Sequence, residues 1–332
     1  MDGSRFCDDL SPSTLAALRE HMFGIAEDHF LQTAPNSADS DEKPPLPLLF
    51  PSQQLEATLS RLHVEDRASI EGAIQRGSSW NTFLVASSSL AAGLDLLHED
   101  GVVRFDHVLS PATCDALIQA INHSLSAVLL DLAIPNSSLL CNENFGNVYA
   151  RLHRYDMYLP LTGVHQSALS EIMQGVVGEF FRTLFLGDDS SLLHEYSSLI
   201  SDPGAERQPI HPDNTFQPIA PFYSAFVALQ DVDDSMGPTL FLPGTHTQDA
   251  HQLFNAPASQ DEFLSRCEYR SSLLGKGDIQ IFDSRLLHCG LANLTSRRVL
   301  VYFTLKNPFS QDDSAGPGSL MKGLENICPF RL

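Results

Sequence analysis

The sequence predicts a mainly β protein with a helical surround: a jelly-roll core behind an α-helical N-terminal extension. Three observations lead there. From about residue 191 onward the chain is a series of short strand-like runs punctuated by Gly and Pro, the texture of a sandwich or barrel. Up to about residue 98 the apolar residues recur at helical spacing instead. In the strand-rich half a His-x-Asp triplet, His211-Pro212-Asp213, is answered far along the chain by His288. A jelly roll brings distant strands together around one mouth, so it accommodates that separation.

Taken in order, residues 11–31 carry an amphipathic helical stripe through Leu15, Leu18, Met22 and Ile25. A Pro/Ser/Asp-rich linker follows over about 35–51, and further helical patterns fill 52–98. Val102, Val103 and Phe105 predict a strand. Ser110-Pro111 opens a helix with Ser as N-cap and Pro at the first helical position. Another helix is expected over about 165–186. Strands are expected over 192–200, 210–216, 223–229, 239–242, 278–282 and 299–305, and 247–274 reads as a helical insertion, a candidate lid over the mouth. The domain reading is a helical extension over 1–95 and a core domain over 96–332.

Bulk numbers narrow the function. The chain has 332 residues, 43% hydrophobic and 18% charged, ordinary for a globular protein with a sizeable core. Against 41 acidic residues stand 20 basic ones, a net charge of −21. Phosphate backbones and anionic membranes both need a basic footprint, so nucleic-acid and membrane partners are disfavoured. A cationic substrate is compatible with this balance but does not follow from it. The six cysteines are scattered without a CxxC pair, which argues for reduced thiols. No signal-peptide pattern and no membrane-length apolar run is present, so a cytoplasmic location is the expectation.

The chemistry concentrates in three residues. On a strand, residues i and i+2 share a face, so His211 and Asp213 can reach one metal while Pro212 points away. With His288 they make a two-His, one-carboxylate set that leaves half the coordination sphere open, as in non-haem Fe(II) oxygenases. A lone His-x-Asp is weak evidence, and the surrounding motifs strengthen it. They are Glu99-Asp100-Gly101-Val102-Val103, the Leu109-Ser110-Pro111 helix entry, Ser201-Asp202-Pro203-Gly204 leading to Gln208-Pro209-Ile210-His211-Pro212-Asp213, Gly237-Pro238-Thr239 with Pro243-Gly244-Thr245-His246, Gly277-Asp278, His288-Cys289-Gly290-Leu291-Ala292-Asn293, and Arg297-Arg298. Together these resemble the phytanoyl-CoA dioxygenase (PhyH-like) family of Fe(II)/2-oxoglutarate-dependent oxygenases.

The resemblance implies a double-stranded β-helix core, Fe(II) held by His211, Asp213 and His288, and 2-oxoglutarate and O2 as co-substrates. It implies oxidation of a C–H bond of a small molecule, by hydroxylation, desaturation or oxidative cyclisation, with succinate and CO2 released. A halogenase of this type would lack the carboxylate, so Asp213 disfavours halogenation. The far carboxylate of 2-oxoglutarate needs an Arg, whose planar fork pairs bidentately with it. Arg298 is favoured over Arg297, since strand alternation admits only one of them to a pocket. Gln208 and Thr239 are candidates to hydrogen-bond the co-substrate. Tyr223 and Arg154 are the guesses for substrate contact. His246 reads as a turn brace, His153 and His165 as structural or exposed, and Asn293 as a turn former. The low Lys/Arg count makes a CoA thioester less attractive. The rival readings are an inactive jelly-roll binding protein and a metal-dependent hydrolase or lyase on the same fold.

Overall fold

The computed structural model describes residues 84–85, 90–132, 144–146, 148–149, 151–310 and 319–332. The helix expected over 11–31, the linker over 35–51 and most of the 52–98 patterns lie outside them. The site lies in one compact unit; among the described residues, only the part of the second helix from Ile121 onward belongs to another.

A two-residue strand β1 (Leu84–Val85) precedes helix α1 (Leu90–Glu99) and strand β2 (Val102–Phe105). The domain boundary expected at 95/96 therefore falls inside a helix. The helix is continuous there because its apolar side is used: Leu97 is buried, and Gly93 lies so close to Phe180 that an added Cβ would stand 3.1 Å from that ring. Helix α2 (Pro111–Leu132) starts as the sequence indicates, with the Ser110 hydroxyl accepting the Thr113 N–H at 3.2 Å. Strand β3 (Arg154–Tyr158) follows, then α3 (Gly163–Gln174) and α4 (Val176–Leu184). The single helix expected over 165–186 is thus two, divided where Gly175 takes an extended conformation.

The remaining strands are β4 (Leu193–Ser201), β5 (Phe222–Ala228), β6 (Thr239–Phe241), β7 (Arg270–Ser272), β8 (Ile279–Asp283), β9 (His288–Gly290) and β10 (Arg298–Lys306). Between β6 and β7 lie α5 (Gln248–Asn255) and α6 (Gln260–Arg266). A seven-stranded sheet has the order β1-β2-β8-β5-β10-β4-β3, antiparallel except for β1 against β2. A second sheet has the order β7-β6-β9.

Alternation along the strands makes two apolar layers. On the outer face of the large sheet, Phe105 meets Phe180 at 5.1 Å, Phe303 meets Phe181 at 6.3 Å, and the Tyr196 hydroxyl donates to the His165 carbonyl of α3 at 2.7 Å. Between the sheets, Phe241 of β6 packs with Val102, Phe282 and Leu286. Each of these aromatics contributes roughly 2–3 kcal/mol by burial. The helical insertion does not cover the mouth. Phe254 of α5 and Leu264 of α6 pack with Leu240, Leu242 and Cys289 on the back of the small sheet, and no residue of 247–274 lines the cavity described below. The apolar face of α5–α6 is taken up by that packing.

One turn is demanding. Asp233 caps a single 3-10 turn, accepting the N–H groups of Ser235 and Met236. Gly237 ends the turn at φ 69°, and a Cβ there would stand 2.5 Å from the Leu291 carbonyl. Gly237→Ala is therefore expected to destabilise the protein by more than about 1 kcal/mol. A thermal melt indistinguishable from wild type would show that the turn relaxes freely.

Candidate metal centre

The strand expected over 210–216 reduces to a single antiparallel bridge between His211 and His288. Each donates its backbone N–H to the other's carbonyl at 2.9 Å. Gln208 extends the seam: its N–H donates to the Gly290 carbonyl at 2.9 Å, and its side-chain oxygen accepts the Gly290 N–H at 2.7 Å. The segment before Asp213 is thereby zipped onto β9.

Both imidazoles are oriented by backbone. Nδ1 of His211 lies 2.8 Å from the Pro209 carbonyl, and Nδ1 of His288 lies 2.9 Å from the Leu286 carbonyl. A carbonyl only accepts, so each Nδ1 carries the hydrogen and each Nε2 keeps its lone pair. Asp213 Oδ1 stands 4.0 Å from His211 Nε2 and 3.5 Å from His288 Nε2. Two donors at about 2.1 Å from one ion stand no more than about 4.2 Å apart, so these separations suit a shared metal. Burial, and then the His288 ring, hold the His211 pKa down to about 3, which keeps it neutral and ready to ligate. Desolvation raises that of Asp213, opposed by His288 and a hydrogen bond from Ser224.

A cavity of about 290 Å³ opens on these three residues. At one end is Arg298, 1% exposed, paired in register with Ser201 of β4, which pairs in turn with Arg154 of β3. One Arg298 nitrogen donates to the Gly237 carbonyl, while Nε and Nη2 have no partner among the described residues. Desolvation, then Arg154, lowers its pKa to about 9. Arg297 faces away and pairs with Asp202 through two contacts of 2.6 and 3.1 Å. Thr239 lines the cavity from β6. Gln208 lines it too, but its amide is engaged by Gly290 and by the Tyr149 carbonyl at 3.2 Å.

Two substrate guesses do not reach the cavity. Arg154 directs Nη2 to the Glu206 carbonyl at 2.9 Å and lies outside the lining. Tyr223 has the wrong strand parity: it faces the helices, with its ring 6.1 Å from that of Phe185, while Phe222, Ser224 and Phe226 point inward. His246 bonds the His98 carbonyl through Nε2 at 3.1 Å, and Asn293 bonds the carbonyls of Ser201 and Ser296, both at 2.8 Å.

Sequence reasoning missed the polar wall of β3, β4 and β10. The Tyr302 hydroxyl donates to Asp156 at 2.8 Å and that of Ser319 at 3.0 Å. Glu195 is hydrogen-bonded to the Thr304 hydroxyl, which lies 3.1 Å from that of Ser224. Glu195, Thr304 and Ser224 are thus linked through their side chains. Desolvation raises Asp156 to about 6 and Glu195 to about 7. Inward parity from Arg298 along β10 was the available signal for Tyr302 and Thr304; for β3 and β4 the register was needed.

With the geometry in view, comparison places the chain. The family model for phytanoyl-CoA dioxygenase (PhyH) matches residues 97–299, more than half of the sequence. The chain belongs to that family, whose cofactors are Fe(II), 2-oxoglutarate and O2. No curated protein matches it in sequence. Among solved structures it is similar to the non-heme alpha-ketoglutarate-dependent epimerase SnoN from nogalamycin biosynthesis, 15% identical over 72% of this chain and 97% of that one, with TM-score 0.50. The carbocyclase SnoK of the same biosynthesis is 17% identical over 72% and 94% (TM-score 0.47), and AviO1 from Streptomyces viridochromogenes Tue57 is 18% identical over 69% and 99% (TM-score 0.49). At such identity the likeness is one of fold, the jelly roll. No helix among the described residues is long and apolar enough to cross a membrane.

Two variants test the electrostatics. Arg297→Ala removes the guanidinium paired with the buried Asp202 carboxylate and is expected to lose about 1–3 kcal/mol in denaturant unfolding, whereas Arg298→Met removes a buried cation with no carboxylate partner among the described residues and is expected to lose less. Equal losses would contradict the asymmetry. Glu195 has a folded pKa of about 7 above an ordinary 4.5. The fold's preference for its neutral form contributes stability that is full below the unfolded value and lost as pH rises through about 7. Glu195→Gln should therefore gain stability relative to wild type between pH 5 and pH 8; urea melts showing no such trend would place Glu195 in water.

Proposed function

We propose that this protein is an Fe(II)- and 2-oxoglutarate-dependent oxygenase that oxidises a C–H bond of a small molecule, releasing succinate and CO2. The observation that carries this reading is the buried guanidinium of Arg298, with no carboxylate partner among the described residues, in the same cavity as the two imidazoles and the carboxylate. A buried cation without a counter-ion is costly, and a dicarboxylate is the ligand that would relieve it. A hydrolase that needed only the metal would have no use for it.

The donor set fits the metal. His211, Asp213 and His288 would hold Fe(II) on one face, with the Pro209 and Leu286 carbonyls fixing the two imidazoles. Bound Fe(II) with 2-oxoglutarate and O2 supplies the oxidising power for an unactivated C–H bond. Arg298 would take the far carboxylate of 2-oxoglutarate, with Thr239 beside it. The apolar side chains Phe222, Phe226 and Leu199 exclude water from the reacting region and hold the substrate against the open face of the metal site. Hydroxylation, desaturation and ring closure differ in how that substrate is held.

The test is an anaerobic titration of apo-protein with Fe(II) and 2-oxoglutarate, followed in the visible. A charge-transfer band that needs both additions is expected, and it should be missing in His211→Ala and Asp213→Ala. Arg298→Ala should raise the 2-oxoglutarate concentration needed by about 30-fold or more, and Arg297→Ala should change it little. Metal binding without a band, or a band that survives Asp213→Ala, would return the site to a zinc hydrolase or a binding protein.

A further inference from the structure

One buried ion pair, Asp283 with Arg285, supports the candidate metal ligands without being one of them. Strand β8 ends in a turn over Asp283 to Leu286, closed by the Leu286 N–H donating to the Asp283 carbonyl at 2.9 Å. The Asp283 carboxylate, 2% exposed, shapes that turn. Its Oδ1 accepts the Arg285 backbone N–H and Nε, both at 2.9 Å, and its Oδ2 accepts Nη2 at 2.6 Å. The turn thereby presents the Leu286 carbonyl that fixes Nδ1 of His288. From behind, Nε2 of His251 in α5 donates to the Arg285 carbonyl at 2.7 Å, so the helical insertion braces the same turn.

The remaining nitrogen of Arg285 reaches the chain that carries Asp213. Nη1 donates to the Gln217 carbonyl at 2.5 Å and lies 3.4 Å from the Pro218 carbonyl, and the guanidinium carbon stands 5.5 Å from the centre of the Phe216 ring. One residue past Asp213, the Asn214 N–H donates to the Ser284 carbonyl at 2.9 Å. Asp213 itself lies in no strand. It is placed by its flanks, and both are pinned to the same short stretch: His211 to His288 on one side, Asn214 and Gln217 to Ser284 and Arg285 on the other. A guanidinium is the group that can do this, since its planar fork meets a carboxylate with two nitrogens and leaves a third for a carbonyl.

Given the oxygenase reading, whose metal centre it presupposes, we propose that Arg285, paired with Asp283, is a positioning residue: it holds Asp213 and His288 in the ligand arrangement without touching the metal. Partners that orient ligands in this way change metal affinity by about 10–100-fold when they are removed.

The test titrates Co(II) alone into the full apo-chain, followed by calorimetry and by the visible d–d spectrum, which reports how the ligands are arranged. Arg285→Lys keeps the charge and loses the fork. Arg104→Lys is the structural control: Arg104 pairs with Asp278 at 2.7 Å and donates to the Leu273 carbonyl at 2.7 Å, at the opposite end of β8 from the turn. Arg285→Lys is expected to weaken Co(II) binding by about ten-fold or more and to alter the d–d spectrum. Arg104→Lys should leave both as in wild type, even where it lowers the melting temperature as much. If Arg285→Lys does not fold, judged by near-UV circular dichroism, Asp283→Asn carries the same expectation, since it keeps the side-chain shape and one acceptor oxygen. Wild-type affinity and spectrum in the variant, or equal weakening in Arg104→Lys, would overturn the inference and leave Arg285 with a purely structural role. Wild-type protein that binds no Co(II) would overturn it together with the oxygenase reading. If the expected Co(II) results hold but no Fe(II)/2-oxoglutarate band forms, the positioning role stands and the oxygenase reading falls.

Discussion

The reciprocal backbone hydrogen bonds between His211 and His288 are the constraint on which the site depends. They tie a loop that follows β4 to a three-residue strand far along the chain, and they set where both imidazoles start. The Gln208 side chain reinforces the seam by accepting the Gly290 N–H, and it comes so close that a Cβ at Gly290 would stand 2.7 Å from the Gln208 oxygen and displace it. In effect 208–211 becomes a further strand beside β9. Carbonyls at Pro209 and Leu286 then fix both ring tautomers. The geometry of the candidate ligand set is supported by backbone as well as by side-chain rotamers, which is the rigid support a metal site needs.

Strand alternation divides the large sheet into two chemically different faces. The outer face carries Phe105, Tyr196 and Phe303 against helices and supplies apolar burial. The inner face carries Arg154, Asp156, Glu195, Arg298, Tyr302 and Thr304, an expensive set to bury. Most of its polar atoms are satisfied by neighbouring hydroxyls or carbonyls. Among the described residues, Arg298 Nε and Nη2 and the hydroxyls of Ser201 and Ser284 are not. Groups that oppose stability in this way mark where a ligand is to complete the hydrogen bonding.

Much of this was legible before any coordinates. The texture from residue 191, the N-cap at Ser110 and strands near β2, β4, β5, β6, β8 and β10 followed from local chemistry, because alternation and turn residues act over a few positions. The choice between Arg297 and Arg298 was also readable, since parity alone sends one inward and the other toward Asp202. Tyr223 went wrong by one residue: a slip in parity moves a side chain to the opposite face. The helical insertion was recognised, but not the surface its apolar side would cover.

By itself, then, the sequence determined most of the elements and named the candidate metal-ligand set and the candidate anchor for a dicarboxylate, which rest on residue type and motif. Only the tertiary structure decided which groups face one another. That Glu195, Thr304 and Ser224 are linked side chain to side chain depends on the register of β4, β10 and β5. That Arg298 and the three candidate ligands line one cavity depends on which strands the closed sheets bring together. Register is settled by long-range packing, and no local pattern in the sequence encodes it.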